Sequence, residues 1–306
     1  MTVGAPDTVT IETRPLTPVA AAGRVRQRGR LGALARTPPV AIGAVVYLVA
    51  LALVAVFADH VAPYDPLAGN YRAIRQAPSV LHLMGTDDGG RDVLSRIIFG
   101  ARISLYVGFA SVAVGDLLGL VWGLTSGYIG GRFDLISQRL LEVLLSFPDL
   151  ILGTMFMIVL GPSLQTVIVA IAITRVPAAT RIVRGTTLSV KHRAYVDSAR
   201  AVGASPARIM LQHIAPQCVA PFLVVVSAHL GIAITTEAAL SFLGIGVPPP
   251  APSWGVMLAG VSRQFNPLWW LAVFPGLAIT ATVLAANLAG DALRDLLDPQ
   301  LRGSRG

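Results

Sequence analysis

Residues 268–290 read L-W-W-L-A-V-F-P-G-L-A-I-T-A-T-V-L-A-A-N-L-A-G, with no charged side chain at any position. A helix of about 20 apolar residues crosses the roughly 30 Å hydrocarbon core of a bilayer and satisfies all of its own backbone polar groups on the way. This stretch therefore commits the chain to lipid. The rest of the composition agrees: of 306 residues 54% are hydrophobic and 13% charged, and the mean hydropathy is +0.68. A soluble domain of that make-up would expose more apolar surface than water tolerates.

Working outward from that stretch, five more segments have the length and character of spans. Val40–Ala58 and Ile103–Thr125 are clean apart from Asp116. Leu150–Leu160 is too short alone, so its span is expected to start near Ser137 and to pass Glu142 and the Phe147-Pro148-Asp149 kink. Leu164–Thr180 carries Arg175 and Pro177, and Gln217–Leu243 carries Pro221, His229 and Glu237. The expected fold is an all-α membrane protein of six transmembrane helices. The chain divides into an Arg-rich tail over 1–37 expected to be disordered, a first span over 38–58, an outer loop over 59–101, a core over 102–298 with five spans, and a tail over 299–306. The long polar leader and long apolar run of the N-terminus point to an uncleaved signal anchor rather than a signal peptide.

Charge sets the orientation. With the N-terminus inside, 17 of the 24 Lys and Arg residues fall on the inner side and 6 on the outer, with Arg175 inside a span. That asymmetry places both termini in the cytoplasm. It also accounts for the net charge of +8 without nucleic acid. The N-terminal arginines need no partner beyond the membrane surface.

Several chemistries are excluded. Lys191 is the only lysine and follows Val190, so no G-x-x-x-x-G-K-[ST] phosphate loop exists. Five histidines give no H-E-x-x-H, and the single Cys218 allows neither a disulfide nor a zinc knuckle. Gly203-Ala204-Ser205-Pro206-Ala207 lacks the second glycine of a nucleophile elbow, and Ser205 reads as a helix N-cap instead. The chain is expected to be a non-catalytic subunit that binds no cofactor itself.

Between the fourth and fifth spans lies Tyr195–Pro216, Y-V-D-S-A-R-A-V-G-A-S-P-A-R-I-M-L-Q-H-I-A-P. Its punctuation predicts a helix over 195–202, a positive-φ stop at Gly203, an N-cap at Ser205 and Pro206 opening a second helix. Asp197, Arg200 and Arg208 keep it in water or against another protein. Within the spans Asp116, Glu142, Arg175 and Glu237 are candidates for a translocation path or gate, because ionisable groups at membrane depth face a bundle interior or an aqueous route. Together with His229 they leave an ion-coupled secondary transporter as the runner-up, although the internal repeats such transporters show are absent. Glu237 is open to snorkelling or a structural hydrogen bond as well as to lining the path, and Arg175 to pairing with a carboxylate such as Glu142. In the outer loop, Gly85–Asp92 lacks the spacing and final Glu of a calcium loop. It reads as a gate or docking surface carrying Asp87, Arg91 and Asp92, or as a plain structural turn. Trp254, Trp269 and Trp270 suit the outer membrane interface.

The loop resembles the EAA loop of ABC-importer permeases: Ala199, Gly203 and Pro216 keep the spacing, while Asp197, Ser198, His213 and Ala215 replace the usual residues. His82–Asp87, Gly90–Arg96, Gly100–Leu105, Leu145–Pro148, Glu237–Gly244, Ser253–Gly255 and Asn287–Asp291 with Leu293–Asp295 resemble the second permease subunit of the dipeptide, oligopeptide and nickel importers. The resemblance implies a type I importer fold and a heterodimer with a homologous permease. It also implies two ATP-binding subunits that carry ATP and Mg, and an extracytoplasmic substrate-binding protein. It makes 195–216 a coupling helix, with Tyr195, Val196, Ala199, Val202 and Ile209 as apolar anchors, Asp197 and Arg200 as rim contacts, and Gly203 and Ala204 at the turn.

Overall fold

The structure, a computed structural model, describes residues 39–262 and 268–297. The two tails, with the expectations of disorder made for them, and Arg263 lie outside the described residues. Nine helices of eight residues or more are named here: α1 Pro39–Val56, α2 Val93–Ile129, α3 Gly131–Leu145, α4 Asp149–Leu160, α5 Leu164–Val190, α6 Ala194–Ala201, α7 Ala215–Phe242, α8 Trp254–Ser262 and α9 Trp269–Leu297. Among the described residues there is no strand. Five helices are long and apolar enough to cross a membrane, counting 206–242 as one, and the α3–α4 pair makes a sixth if taken as a single broken span.

The spans sit where the hydropathy placed them, but the fourth runs on from Thr180 to Val190 and the last from Gly290 to Leu297, and the second and third differ further. The second runs ten residues further toward the N-terminus, because Asp92 caps it by accepting the Ser95 N–H and nothing in 93–102 breaks a helix. The third is broken by 90° between α3 and α4, around Ser146-Phe147-Pro148. Pro148 has no N–H to give and disfavours helix at Phe147, so the two halves are separate helices rather than one kinked span.

The core is a seam between α2 and α5. On α2, Gly115, Gly119, Gly123 and Gly127 recur every fourth residue and so lie on one face. A Cβ at Gly115 would sit 2.4 Å from the Ala172 carbonyl oxygen, at Gly119 2.6 Å from the Ala179 Cβ, and at Gly123 2.5 Å from the Thr180 carbonyl oxygen. The two backbones therefore touch along three turns, which only hydrogen side chains permit, and dispersion there replaces the hydrophobic drive that lipid cannot supply. Around this seam pack Val107, Val112, Val167, Ile171, Ala233 and Leu240.

Side chains also close helix ends. Arg102 donates through Nε to the Ala55 carbonyl (2.8 Å) and through Nη2 to Val56 (2.9 Å), tying the end of α1 to α2. Trp254 is fully buried with its Nε1–H on the Ile97 carbonyl at 3.0 Å, and Trp270 is buried with its N–H on Thr86. These two rings are packing elements of the bundle, contrary to the interfacial belt expected for them. Trp269 alone of the three is exposed.

Candidate functional site

The loop between α5 and α7 is built as the punctuation predicts. Arg193 has extended backbone ahead of α6, and the helix ends with the Ala204 N–H on the Ala199 carbonyl and the Gly203 N–H on the Arg200 carbonyl, both 3.0 Å. That is the paired-bond Schellman arrangement, and it requires the φ of +81° that Gly203 adopts. Ser205 then caps the next turn by accepting the Arg208 N–H at 3.3 Å, with Pro206 in its first turn. A π-helical segment, Ile209–Ile214, leads directly into α7.

The loop has two sides. Val196, Ala199 and Ile209 are buried with Leu124, Val183, Val190, Ile214, Cys218 and Phe222, and Ala204 packs at the edge of the same cluster. Tyr195, Asp197, Arg200, Val202 and Gly203 are exposed, Val202 at 84%. The sequence reading had placed Val196, Ala199 and Ile209 among outward anchors. They instead fasten α6 to its own bundle: 196 and 199, three residues apart, share the face that meets the buried cluster. Arg200 clasps Asp197 at 2.7 Å and reaches the Lys191 carbonyl, while Lys191 Nζ bridges to the Tyr128 carbonyl at 2.8 Å. A cation there satisfies the last carbonyls of α2 and complements its dipole.

The intramembrane polar residues do not converge; each has a different partner. Asp116 is 1% exposed and its Oδ1 lies 2.7 Å from His229 Nδ1, joining α2 to α7. Glu237 is fully buried and accepts the hydroxyls of Ser104 and Ser241, both at 2.9 Å, which fixes α7 to α2. Arg175 is buried on α5 and bonds Asp149 at the start of α4, with Thr174 Oγ1 as its other acceptor. Arg175 thus pairs with a carboxylate, as the sequence allows, but Glu142, the example offered there, pairs with Arg139 on its own helix at 2.7 Å. No group of three potential metal ligands occurs among the described residues.

At the opposite end, Asp87 accepts the N–H groups of Gly89 (2.8 Å) and Arg91 (2.9 Å) and lies 3.5 Å from the buried Arg96. Asp87, Arg91 and Arg96 line a cleft of about 340 Å³ with Met257, Val261 and Leu271. Asp92 is not on that surface. It is 3% exposed, holding His82 Nδ1 at 2.9 Å and the Ser95 hydroxyl at 2.8 Å, so its place is in the helix cap.

Sequence reading missed two ion pairs and one glycine stripe. Arg184 binds Asp134 through two bonds of 2.6 Å, Asp149 answers Arg175, and the glycine stripe of α2 went unread although its four-residue period is visible in the sequence.

Residues 119–303 match the sequence pattern described as binding-protein-dependent transport system inner membrane component. The chain belongs to that family. The glutathione transport system permease protein GsiD of Pectobacterium atrosepticum is 42% identical over 266 residues, 86% of this chain and 88% of that protein. The di/tripeptide transport system permease protein DppC of Pseudomonas aeruginosa is 40% identical over 270 residues, 86% of this chain and 89% of its own. An inward-facing structure of the MetNI methionine ABC transporter superposes with a TM-score of 0.55 at 18% identity, covering 66% of this chain and 96% of that one, which shows a shared fold. The protein is thus a multi-pass inner-membrane permease of an ATP-driven importer. It is non-catalytic, and the ATPase resides in partner subunits.

Proposed function

We propose that the chain forms, with a homologous permease, the translocation path of an importer for di- or oligopeptides, driven by two ATP-binding subunits that hold the ATP and Mg. The observation that carries the coupling role is the two-sided α6. Its inner residues are shared with the cluster that joins α2, α5 and α7, so a push on Tyr195, Asp197, Arg200 and Val202 has a rigid route into the bundle. An exposed short helix laid into a groove of an ATPase is a compact docking mode.

The cleft beside Asp87 and Arg91 is the surface offered to the extracytoplasmic binding protein, and the 17-to-6 distribution of cations supports termini in the cytoplasm. The peptide substrate is supported by the names of the relatives that match over most of the chain. The test is reconstitution of the chain and its homologous permease in proteoliposomes, with and without the ATP-binding subunits and a peptide-loaded binding protein. Uptake that requires ATP hydrolysis and the binding protein is expected. Uptake on a proton gradient alone overturns the reading.

A further inference from the structure

The chain itself joins α6 to two of its neighbours. Residues 191–193 link it to the end of α5, and the π-helical segment Ile209–Ile214 carries the loop into α7. α2 is different, because it ends at Ile129, far back in the chain, and a movement of α6 reaches it only through contacts. On the apolar side those are Leu124, with Leu120 and Tyr128, in the cluster around Val196 and Ala199. Apolar packing of this kind holds surfaces together but is non-directional.

Lys191 makes the directional contact. Its carbonyl accepts from Arg200 Nη2 at 3.2 Å, and Arg200 in turn holds Asp197 at 2.7 Å, so the exposed rim of α6 is fixed on this residue. Its ammonium donates to the carbonyls of Tyr128 at 2.8 Å and Gly127 at 3.3 Å. Both carbonyls belong to the last turn of α2, where a helix end leaves acceptors without intrahelical donors. Gly127 is also the last glycine of the α2 stripe, and a Cβ there would meet the Thr187 Cβ of α5 at 2.8 Å. One residue earlier, the Ser126 hydroxyl donates to Asp134 at 2.5 Å, and Asp134 takes both bonds from Arg184. The amine thus grips α2 where α2, α3 and α5 are already tied together. The glycine seam keeps α2 close to α5, but a smooth contact without interlocking side chains does little to fix their axial register. The Lys191 bonds fix it at this end.

We propose that Lys191 is a positioning residue of the coupling step, whose ammonium, held on the Gly127 and Tyr128 carbonyls, makes the end of α2 follow α6 when the ATP-binding subunits move it. This rests on the docking role of α6 proposed above. A charged donor on the negative end of the α2 dipole holds more firmly than a neutral hydrogen bond does. Without it α6 moves α5 and α7 through the chain, and α2 is left with the apolar contact alone.

The test uses the whole complex in proteoliposomes with peptide-loaded binding protein and reads peptide taken up per ATP hydrolysed, a ratio independent of how much folded complex is made. Lys191→Met keeps the stem and removes the donors. It is expected to retain the ATP-binding subunits as the parent does while uptake per ATP falls about tenfold, the order set by losing hydrogen bonds from a charged group. Lys191→Arg, which keeps charge and donors, is expected to restore the ratio to within about twofold. A Met chain with the parent's ratio overturns the proposal, as does an Arg chain as uncoupled as the Met chain. A Met chain that sheds the ATP-binding subunits makes Lys191 a docking residue and also overturns it. Should the Met chain fail to assemble, Lys191→Gln is read in its place, and failure of both makes Lys191 a folding residue and ends the proposal. If the unsubstituted complex takes up peptide without ATP, or does not retain its ATP-binding subunits, the docking role of α6 itself fails, and that is visible before any substitution.

Discussion

α2 and α3 are neighbours in sequence, joined at Gly130, yet they meet opposite fates. Half of α2 is buried, including Asp116, Ser104 and four glycines pressed on α5, whereas α3 buries two residues. In α2 the polar groups have partners on other helices of the same chain: Asp116 has His229, and Ser104 has Glu237. In α3 the exposed Arg139 and Glu142 pair with each other. The difference teaches that a polar residue at membrane depth is not one kind of signal. On a helix closed by its own chain it is a rivet, and on a helix left open it pairs along its own surface.

The comparison is most easily broken at the buried pair. His229→Leu leaves the Asp116 carboxylate without a partner and should destabilise by about 3–5 kcal/mol, whereas Asp116→Leu with His229→Leu should be neutral or stabilising. Thermal unfolding of the detergent-solubilised complex and its transport rate read this out. A double variant that unfolds normally but no longer transports would restore the relay role. Next comes the glycine seam. Gly119→Leu must displace the α5 backbone and should cost about 1–3 kcal/mol or more, seen as a lowered unfolding temperature and poor yield.

Gly203→Val is smaller in stability, about 1–2 kcal/mol for the left-handed backbone, since no atom lies within 4 Å of its Cβ position. Its expected effect is functional: ATP hydrolysis no longer stimulated by loaded binding protein, with insertion intact. Normal coupling in that variant removes α6 from the drive. Smallest of all, Arg139→Ala should leave the unfolding temperature of the isolated chain unchanged, because the Arg139–Glu142 pair is exposed.

The legible parts of the molecule are those governed by local rules. Gly203, Ser205 and Pro206 announced the α6 turn because backbone conformation and capping act within a few residues. The apolar runs announced the spans because the bilayer imposes one length. Illegible were the partners. That Arg175 meets a carboxylate is readable, but not that it is Asp149, and Val196, Ala199 and Ile209 read as anchors for a partner although they are buried in their own bundle. A stripe of helix reads as apolar whether it faces its own bundle or a partner.

By itself the sequence determined that this chain lives in the membrane, where its helices lie, what stops α6, and that it lacks the phosphate loop of an ATPase, since each follows from composition or short-range spacing. Only the tertiary structure decided that α2 and α5 touch backbone to backbone, that Asp116 and Glu237 are rivets, and that α3 breaks away with its charges uncovered. Those outcomes depend on which helix faces which across a hundred residues or more, and lipid, unlike water, gives a sequence no apolar-to-polar contrast from which to read them.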